Sequence, residues 1–84
     1  MFILSEFEGS IVNLGQKDRN LYQALLRIAD IALKDGFTLV IDERIQGKIE
    51  VNLNEPWNMI LVEILTGLDL MTIVDSNTII ISYR

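Results

Sequence analysis

The chain has 84 residues, half of them hydrophobic, and a formal net charge of −5, which describes one small domain with enough apolar side chains to form its own core. It contains no histidine and no cysteine, so zinc sites, disulfides, thiol nucleophiles and histidine-based acid–base catalysis are excluded. The negative charge disfavours binding to nucleic acid, and no segment approaches the ~18 consecutive apolar residues of a membrane-spanning helix.

Residues 1–9 precede the regular pattern of the chain. The apolar stretch within residues 2–7 can pair, through a turn, with a strand over residues 10–14. We therefore expect residues 1–9 to form an extra N-terminal strand or a linker, followed by one domain over residues 10–84. The chain begins without the basic start and small-residue cleavage site of a signal peptide, so we expect a cytosolic protein, or a mature or excised piece of an exported one.

A helix and a second strand follow. Between residues 20 and 35, apolar residues recur at helical spacing on one face, namely at Leu21, Ala24, Leu25, Ile28 and Ala32. Asp18 and Asn20 both suit the N-cap of this helix, and Gly36 suits the position just after its last turn. Residues 37–41 are apolar and rich in β-branched side chains, which predicts a strand.

The second half of the chain predicts three strands and a helix. Residues 48–53 alternate between polar and apolar side chains, which is typical of a strand with one buried face. The inward side chains would be Ile49, Val51 and Leu53. A second helix is predicted over residues 54–66, where a capping side chain and Pro56 coincide at the start. Residues 70–83 predict two strands joined by a tight turn at residues 75–77.

Both predicted helices are apolar on more than one face. In the first, Tyr22, Leu26 and Leu33 form a stripe beside the main face, and we expect this stripe to form a second buried face. In the second, Met59 and Val62 lie opposite the stripe that begins at Trp57. Such a helix requires burial on two sides, so we expect both residues to be substantially buried and Trp57 to pack into the core. The five predicted strands can form two sheets, one for each apolar side of the helices. These are a mixed sheet near residues 10–15, 37–42 and 48–53, and a hairpin over residues 70–83. The predicted fold is therefore α+β, in the order β-α-β-β-α-β-β, with two helices sandwiched between a three-stranded mixed sheet and a two-stranded hairpin.

The residues offer little for catalysis. The serines have no histidine to activate them, and the close acidic pairs are Glu6 with Glu8 and Asp42 with Glu43. Paired carboxylates can perform acid–base chemistry or hold calcium, but neither pair has the density of oxygen ligands found in a calcium loop. We interpret them as solvated charges, and we expect no enzymatic activity, no cofactor and no bound metal.

Residues 47–58 carry a resemblance to a known family. They read Gly-Lys-Ile-Glu-Val-Asn-Leu-Asn-Glu-Pro-Trp-Asn, which resembles the short N-terminal domain shared by secretins and TonB-dependent signalling receptors. That family has a Gly-Lys-led alternating strand and then a Pro-Trp pair that opens the second helix. Residues 35–42 are similar to its second strand, residues 21–30 to its first helix, and Asn77 to its last turn. The resemblance covers residues 11–83.

The resemblance implies a non-enzymatic periplasmic module of an outer-membrane secretin, in type II or type III secretion or type IV pilus machinery. Such a domain contacts neighbouring secretin subunits and inner-membrane components. The expected partners are therefore proteins, with no nucleic acid and no direct membrane insertion, and the isolated domain would be a monomer or weak dimer. The expected location is the periplasm, as part of an outer-membrane complex.

Three alternatives stay open. The first is the signalling domain of a TonB-dependent receptor, and the second is a phage-derived or cytosolic assembly domain of the same fold. A small-molecule binding module is the third, and it would require a pocket.

The buried helices leave strand edges and outer sheet faces for contacts with a partner. We predict a protein interface at five residues: Ile11, Asn13, Lys48, Glu50 and Asn52. Ile11 motivates this prediction, because it is the apolar residue on a face that is otherwise polar. An ordinary solvated sheet would show the same alternation and remains the competing interpretation.

Overall fold

The computed structural model describes residues 4–50 and 52–84, and within them two helices and five strands follow one another in the predicted order. The elements are β1 (Ile11–Leu14), α1 (Leu21–Lys34), β2 (Thr38–Ile41), β3 (Leu53–Pro56), α2 (Trp57–Gly67), β4 (Leu70–Asp75) and β5 (Thr78–Tyr83). Short 3₁₀ turns precede β1 and α1, at Leu4–Glu6 and Gln16–Asp18. Neither helix has the length and apolar character needed to cross a bilayer, in the part of the chain that the structure describes.

The strands form two separate sheets, and both helices lie between them. β1 pairs antiparallel with β3. β5 is the central strand of the second sheet, parallel to β2 and antiparallel to β4. α1 contacts β1 and β2, one strand from each sheet, and α2 likewise contacts β3 and β4. The α+β sandwich confirms the predicted fold class.

The predicted sheet membership of β2 is wrong. We placed it beside β1 and β3, whereas it belongs to the sheet of the closing hairpin. The reason lies in β5, which carries three consecutive isoleucines and buries Ile79 and Ile81 completely. The most apolar strand takes the central position, where both of its edges are paired. β4 covers one edge through the hairpin and β2 covers the other, in register from Thr38 opposite Thr78.

The alternating segment predicted as the third strand is also displaced. β3 begins only at Leu53, which pairs with Leu14 at the end of β1. Beyond Leu14 the chain enters the 3₁₀ turn at Gln16–Asp18, so that segment is not extended and cannot continue the ladder. Pairing resumes at one isolated bridge, between Asn20 and Lys48. Among the described residues of this segment, the alternation follows burial and not a continuous strand: Ile49 is buried and Leu53 half-buried, while Glu50 and Asn52 are exposed and outside any strand.

The two helices differ in how they begin. α1 follows the prediction, because the Asn20 side chain caps it by accepting a hydrogen bond of 3.0 Å from the Gln23 amide. Gly36 follows its C-terminus with φ of +89°, a conformation that favours glycine. α2 does not follow it: Pro56 occupies the N-cap position without a side-chain hydrogen bond, and the helix starts at Trp57 directly after β3.

The N-terminal segment forms a turn where a strand was one expectation. The 3₁₀ turn at Leu4–Glu6 packs against α2. The fully buried Asn58 holds it, because its amide nitrogen donates to the carbonyl oxygens of Leu4 and Phe7 at 2.6 and 2.7 Å. Its amide oxygen accepts from the Gly9 amide at 2.9 Å. Residues 1–3 and Val51 lie outside the described residues.

The core runs through both helices and both sheets, with Trp57 fully buried as predicted. The centroid of its aromatic ring lies 5.3 Å from that of Phe37 and 5.5 Å from that of Phe7. Met59 and Val62, on the other side of α2, are half-buried. This burial agrees with a helix that is covered on two sides. The same prediction is wrong for α1: Leu26 and Leu33 are 40% and 60% exposed, because the three-stranded sheet ends at β2 and does not extend over that side of the helix.

Gly9 provides a stability test of the Trp57 packing. A Cβ at Gly9 would lie 2.3 Å from the indole nitrogen of Trp57, which cannot retreat because the ring is fully buried. We expect Gly9→Ala to lower the free energy of unfolding by about 1–3 kcal/mol, as overpacking does. Urea denaturation provides the measurement. Gly67→Ala is the matched control, because a Cβ there meets nothing within 4 Å; equal stabilities of the two variants would contradict this packing.

Candidate interaction surfaces

The outer side of the two-stranded sheet brings two of the predicted interface residues together. In β1, Val12 and Leu14 are buried while Ile11 and Asn13 point outward, and Ile11 is 63% exposed. The register places Ile11 opposite Pro56 and Asn13 opposite Asn54. Directly opposite residues share one face of a sheet. We call the outward-pointing set the two-stranded face: Ile11, Asn13, Asn54 and Pro56. Sequence analysis missed the last two because it ended the third strand at residue 53.

The other three predicted residues are exposed but lie outside the sheet. Lys48, Glu50 and Asn52 belong to the segment that leads into β3. Arg19 fastens this segment: its guanidinium donates to the side-chain oxygen of Asn52 at 2.9 Å and to the carbonyl oxygen of Ile49 at 3.3 Å. The Ile49 amide in turn donates to the Arg19 carbonyl oxygen at 2.8 Å. The five predicted residues therefore form two neighbouring groups, not one continuous strand face.

Asp35 fixes the start of β1, next to Ile11. Its carboxylate accepts from the Ser10 amide at 2.7 Å, from the Ser10 hydroxyl at 2.8 Å and from the Trp57 indole at 2.9 Å. These bonds, led by the one from the Ser10 backbone, lower the pKa of Asp35. One side chain at the end of α1 thus sets where β1 begins and how Trp57 is oriented.

Asp18 fastens the other end of β1 in the same way. Its carboxylate accepts from the Gly15 amide at 3.0 Å and forms an ion pair with Arg27 of α1 at 2.7 Å. The hydrogen bond from Gly15 is the main cause of the lowered pKa of Asp18, and Arg27 adds to it against the effect of burial. The two-stranded face is therefore held rigidly at both ends by carboxylates.

The pKa of one carboxyl group, that of Glu63 on α2, is raised and not lowered. A hydrogen bond to Glu55, together with burial, raises the pKa of Glu63. Glu55 lies opposite the buried Val12 and is half-buried, and one of its carboxyl oxygens is buried without another hydrogen-bond partner. We interpret this pair as a structural contact between β3 and α2.

In one of the acidic pairs identified in the sequence, a neighbouring arginine binds the aspartate. The Asp42 carboxylate is bound by the Arg44 side chain at 2.6 and 3.0 Å, and these bonds lower the pKa of Asp42 to about 2. No group of three or more acidic, histidine or cysteine residues that could hold a metal ion occurs among residues 4–50 and 52–84.

The outer side of the three-stranded sheet is a surface that the sequence analysis missed. The register aligns Val40, Ile80 and Ile73 across β2, β5 and β4. Val40 and Ile73 are 49% and 50% exposed, and Met71 is also exposed on the same side. We call these four residues the three-stranded face; the polar positions around them are Thr38, Thr78, Ser82 and Asp75. The three consecutive isoleucines of β5 could have revealed this surface. Ile79 and Ile81 are buried, so the residue between them, Ile80, points outward, where a sheet with one solvated face usually has a polar side chain.

No protein-family model, curated protein or solved structure matches this chain. The resemblance to the secretin and receptor domain therefore depends on the motif residues themselves, and the structure places these at junctions. Gly47 adopts φ of +147° against Leu21, whose amide donates to the Gly47 carbonyl oxygen at 3.0 Å. Pro56 and Trp57 form the direct passage from β3 into α2.

Acid titration of stability tests the role of Asp35. A carboxylate with a lowered pKa in the folded state stabilises the fold above its ordinary pKa of 3.8, and that stability is lost as the pH falls through the folded-state value. We expect the free energy of unfolding to fall less steeply with acid in Asp35→Asn than in the wild type. Urea denaturation between pH 7 and pH 2 measures this.

The comparison between variants isolates Asp35 from the carboxyl pair, which acts in the opposite sense. The raised pKa of Glu63 contributes stability at low pH that is lost as the pH rises. Asp30→Asn is the control, since it removes the same charge from an exposed position of α1. An acid dependence of Asp35→Asn identical to that of the wild type would refute the assigned hydrogen bonds.

Proposed function

We propose that this chain is a non-enzymatic protein-interaction module of the secretin N-terminal type, located in the periplasm as part of an outer-membrane complex of a secretion or type IV pilus system. In this role it contacts neighbouring secretin subunits and an inner-membrane component. The observation that carries the proposal is that Pro56 and Trp57 open α2, as the Pro-Trp pair opens the second helix in the family that the chain resembles. Gly47, Pro56 and Trp57 all lie where the chain passes between elements.

The surface features support an interaction role over a catalytic one. Both outer sheet faces expose aliphatic side chains, led by Ile11 on one and Ile73 on the other. The titrating groups with shifted pKa values are engaged in structural hydrogen bonds, as at Asp18, Asp35 and Asp42. An open groove of about 850 Å³ between α2 and β4 is lined mainly by aliphatic residues and contains one charged group, Arg84. Its polar lining residues are Thr66, Thr72 and Arg84, and two of them already donate to backbone carbonyl oxygens, Thr66 to Val62 and Arg84 to Leu70.

The signalling domain of a TonB-dependent receptor is the nearest alternative, because the same motif residues support it. The gene sequence after the codon for Arg84 separates the two. Repeated small ring-building domains would support a secretin, and a plug followed by a barrel would support a receptor. A cytosolic or phage-derived assembly domain would carry neither.

Self-association of the chain is expected to be weak. The net charge of −5 per copy opposes it, and neither four-residue face approaches the ~800 Å² per partner of a standard stable interface. Sedimentation at micromolar concentration should show a monomer or a weak dimer. A ring that forms from this chain alone and persists at high salt would contradict this expectation.

Binding to an inner-membrane partner tests the two-stranded face. The probe is the purified periplasmic part of the inner-membrane component encoded with the parent protein. We expect Ile11→Glu to weaken its binding about tenfold, since the partner would have to desolvate a charge in place of the exposed isoleucine of this face. The melting temperature should hardly change, because the Ile11 side chain is 63% exposed. Isothermal titration calorimetry provides the measurement.

Two further variants define the surface. Lys48→Glu reports separately on the segment before β3, because the structure places Lys48 outside the ladder of β1 and β3. Leu33→Glu is the matched control: it adds the same charge at a leucine of α1 that is 60% exposed. Unchanged affinity in both Ile11→Glu and Lys48→Glu would remove these residues from the interface.

A further inference from the structure

The three-stranded face differs from the outer side of an ordinary one-sided sheet. Such sheets are usually hydrophobic toward the core and polar toward water. Here the middle row of the outer side is aliphatic on all three strands, at Val40, Ile80 and Ile73, and Met71 extends it along β4. Contiguous exposed apolar patches with a polar rim mark sites of protein interaction.

The dimensions of this row suit one helix. Adjacent strands lie about 4.8 Å apart, so a row across three strands is about 10 Å wide, which matches the diameter of an α-helix with its side chains. The inner side of the same sheet already receives two helices, α1 against β2 and α2 against β4. A third helix on the outer side would repeat that mode of packing.

The charges around the face specify a basic occupant. β2, β4 and β5 contain no lysine or arginine. Asp75 is exposed at one end of the face, and Glu43 is exposed just beyond the end of β2. The two arginines that follow β2 and β5 each lie beside a carboxylate: Arg44 is bound to Asp42 at 2.6 Å, and Arg84 lies 3.8 Å from Asp69. A surface of this kind repels a second copy of the chain, which also carries −5, and attracts lysine and arginine side chains.

We infer that the three-stranded face is a docking surface for an amphipathic helix of a protein partner, with leucine-like residues on one side of that helix and lysine or arginine beside them. This inference goes beyond the proposed function and does not depend on the secretin assignment. Since the helices α1 and α2 separate the two sheets, the three-stranded and two-stranded faces point away from each other. The domain can therefore hold two partners at once, one on each side.

Binding of a synthetic peptide tests the inference. The probe is an amphipathic helical peptide of leucine and lysine, and a peptide with glutamate in place of lysine is its control. Heteronuclear NMR titration of the full 84-residue chain should show shift changes centred on the amides of Val40, Ile73 and Ile80. We expect affinity to fall as salt rises, and we expect no comparable binding of the glutamate peptide.

Variants assign the binding to this face. Val40→Thr combined with Ile73→Thr keeps β-branched side chains on the strands and should weaken binding of the lysine peptide about tenfold or more, because the apolar contact area is lost. Asp75→Asn should weaken it less and reduce its salt dependence. Leu68→Thr is the control, since it removes a 40% exposed aliphatic side chain outside this face, and it should leave binding unaltered.

Several outcomes would overturn the inference. These are equal binding of both peptides, shift changes on the two-stranded face instead, unchanged affinity in the folded Val40→Thr/Ile73→Thr variant, and no binding of the lysine peptide at millimolar concentration. Concentration-dependent dimerisation through Val40 and Ile73 would assign the face to a second copy of the chain instead. None of these outcomes bears on the Ile11→Glu experiment, so this inference and the proposed function fail separately.

Discussion

The fold depends on how the Trp57 indole is enclosed. The fully buried ring lies tilted against Phe7 and Phe37, whose own rings stack on each other with centroids 5.1 Å apart. The indole nitrogen donates to the Asp35 carboxylate at 2.9 Å. The Trp57 backbone amide donates to the Ser10 carbonyl oxygen at 3.0 Å. A single residue at the start of α2 thereby positions the start of β1, the end of α1 and the start of β2. Its enclosure requires a residue without a Cβ at position 9, since any side chain there would meet the indole ring.

This arrangement places strong constraints on where function can lie. With both helices covered by sheets, the interior is occupied by packing, and the polar groups inside it are engaged in holding segments together. Asn58, for example, uses its side chain to fasten Leu4, Phe7 and Gly9. In the proposed interaction role, the surfaces open to a partner are the outer sheet faces, the sheet edges and the exposed helix surfaces.

Local patterns in the sequence predicted most helices and strands, because the spacing of apolar residues within one element reflects which of its own side chains are buried. The helical period of α1, its Asn20 cap and the closing hairpin agree with the structure to within a residue or two.

The pairing partners of the strands were harder to predict. Alternation in residues 48–53 indicated that Ile49 is buried, which it is, but it contains no information on whether an extended neighbour exists. The parallel pairing of β2 with β5 joins segments far apart in sequence, and no local pattern encodes it. Of the candidate interface, Ile11 and Asn13 were predictable from one strand, whereas Asn54 depended on the register.

A sequence motif, like the local patterns that predict helices and strands, reports on folding and not on binding partners. Gly47, Pro56 and Trp57 are conspicuous in the sequence because each meets a backbone or packing requirement that few residue types satisfy. A motif of this kind identifies a way of folding, and domains that bind quite different partners can share it. Specificity must come from residues with no such requirement, and on this chain these are the outward side chains of the strands. Ile11 and Ile73 are 63% and 50% exposed on the outer sides of the two sheets, so their replacement tests the proposed contacts while leaving the core residues in place.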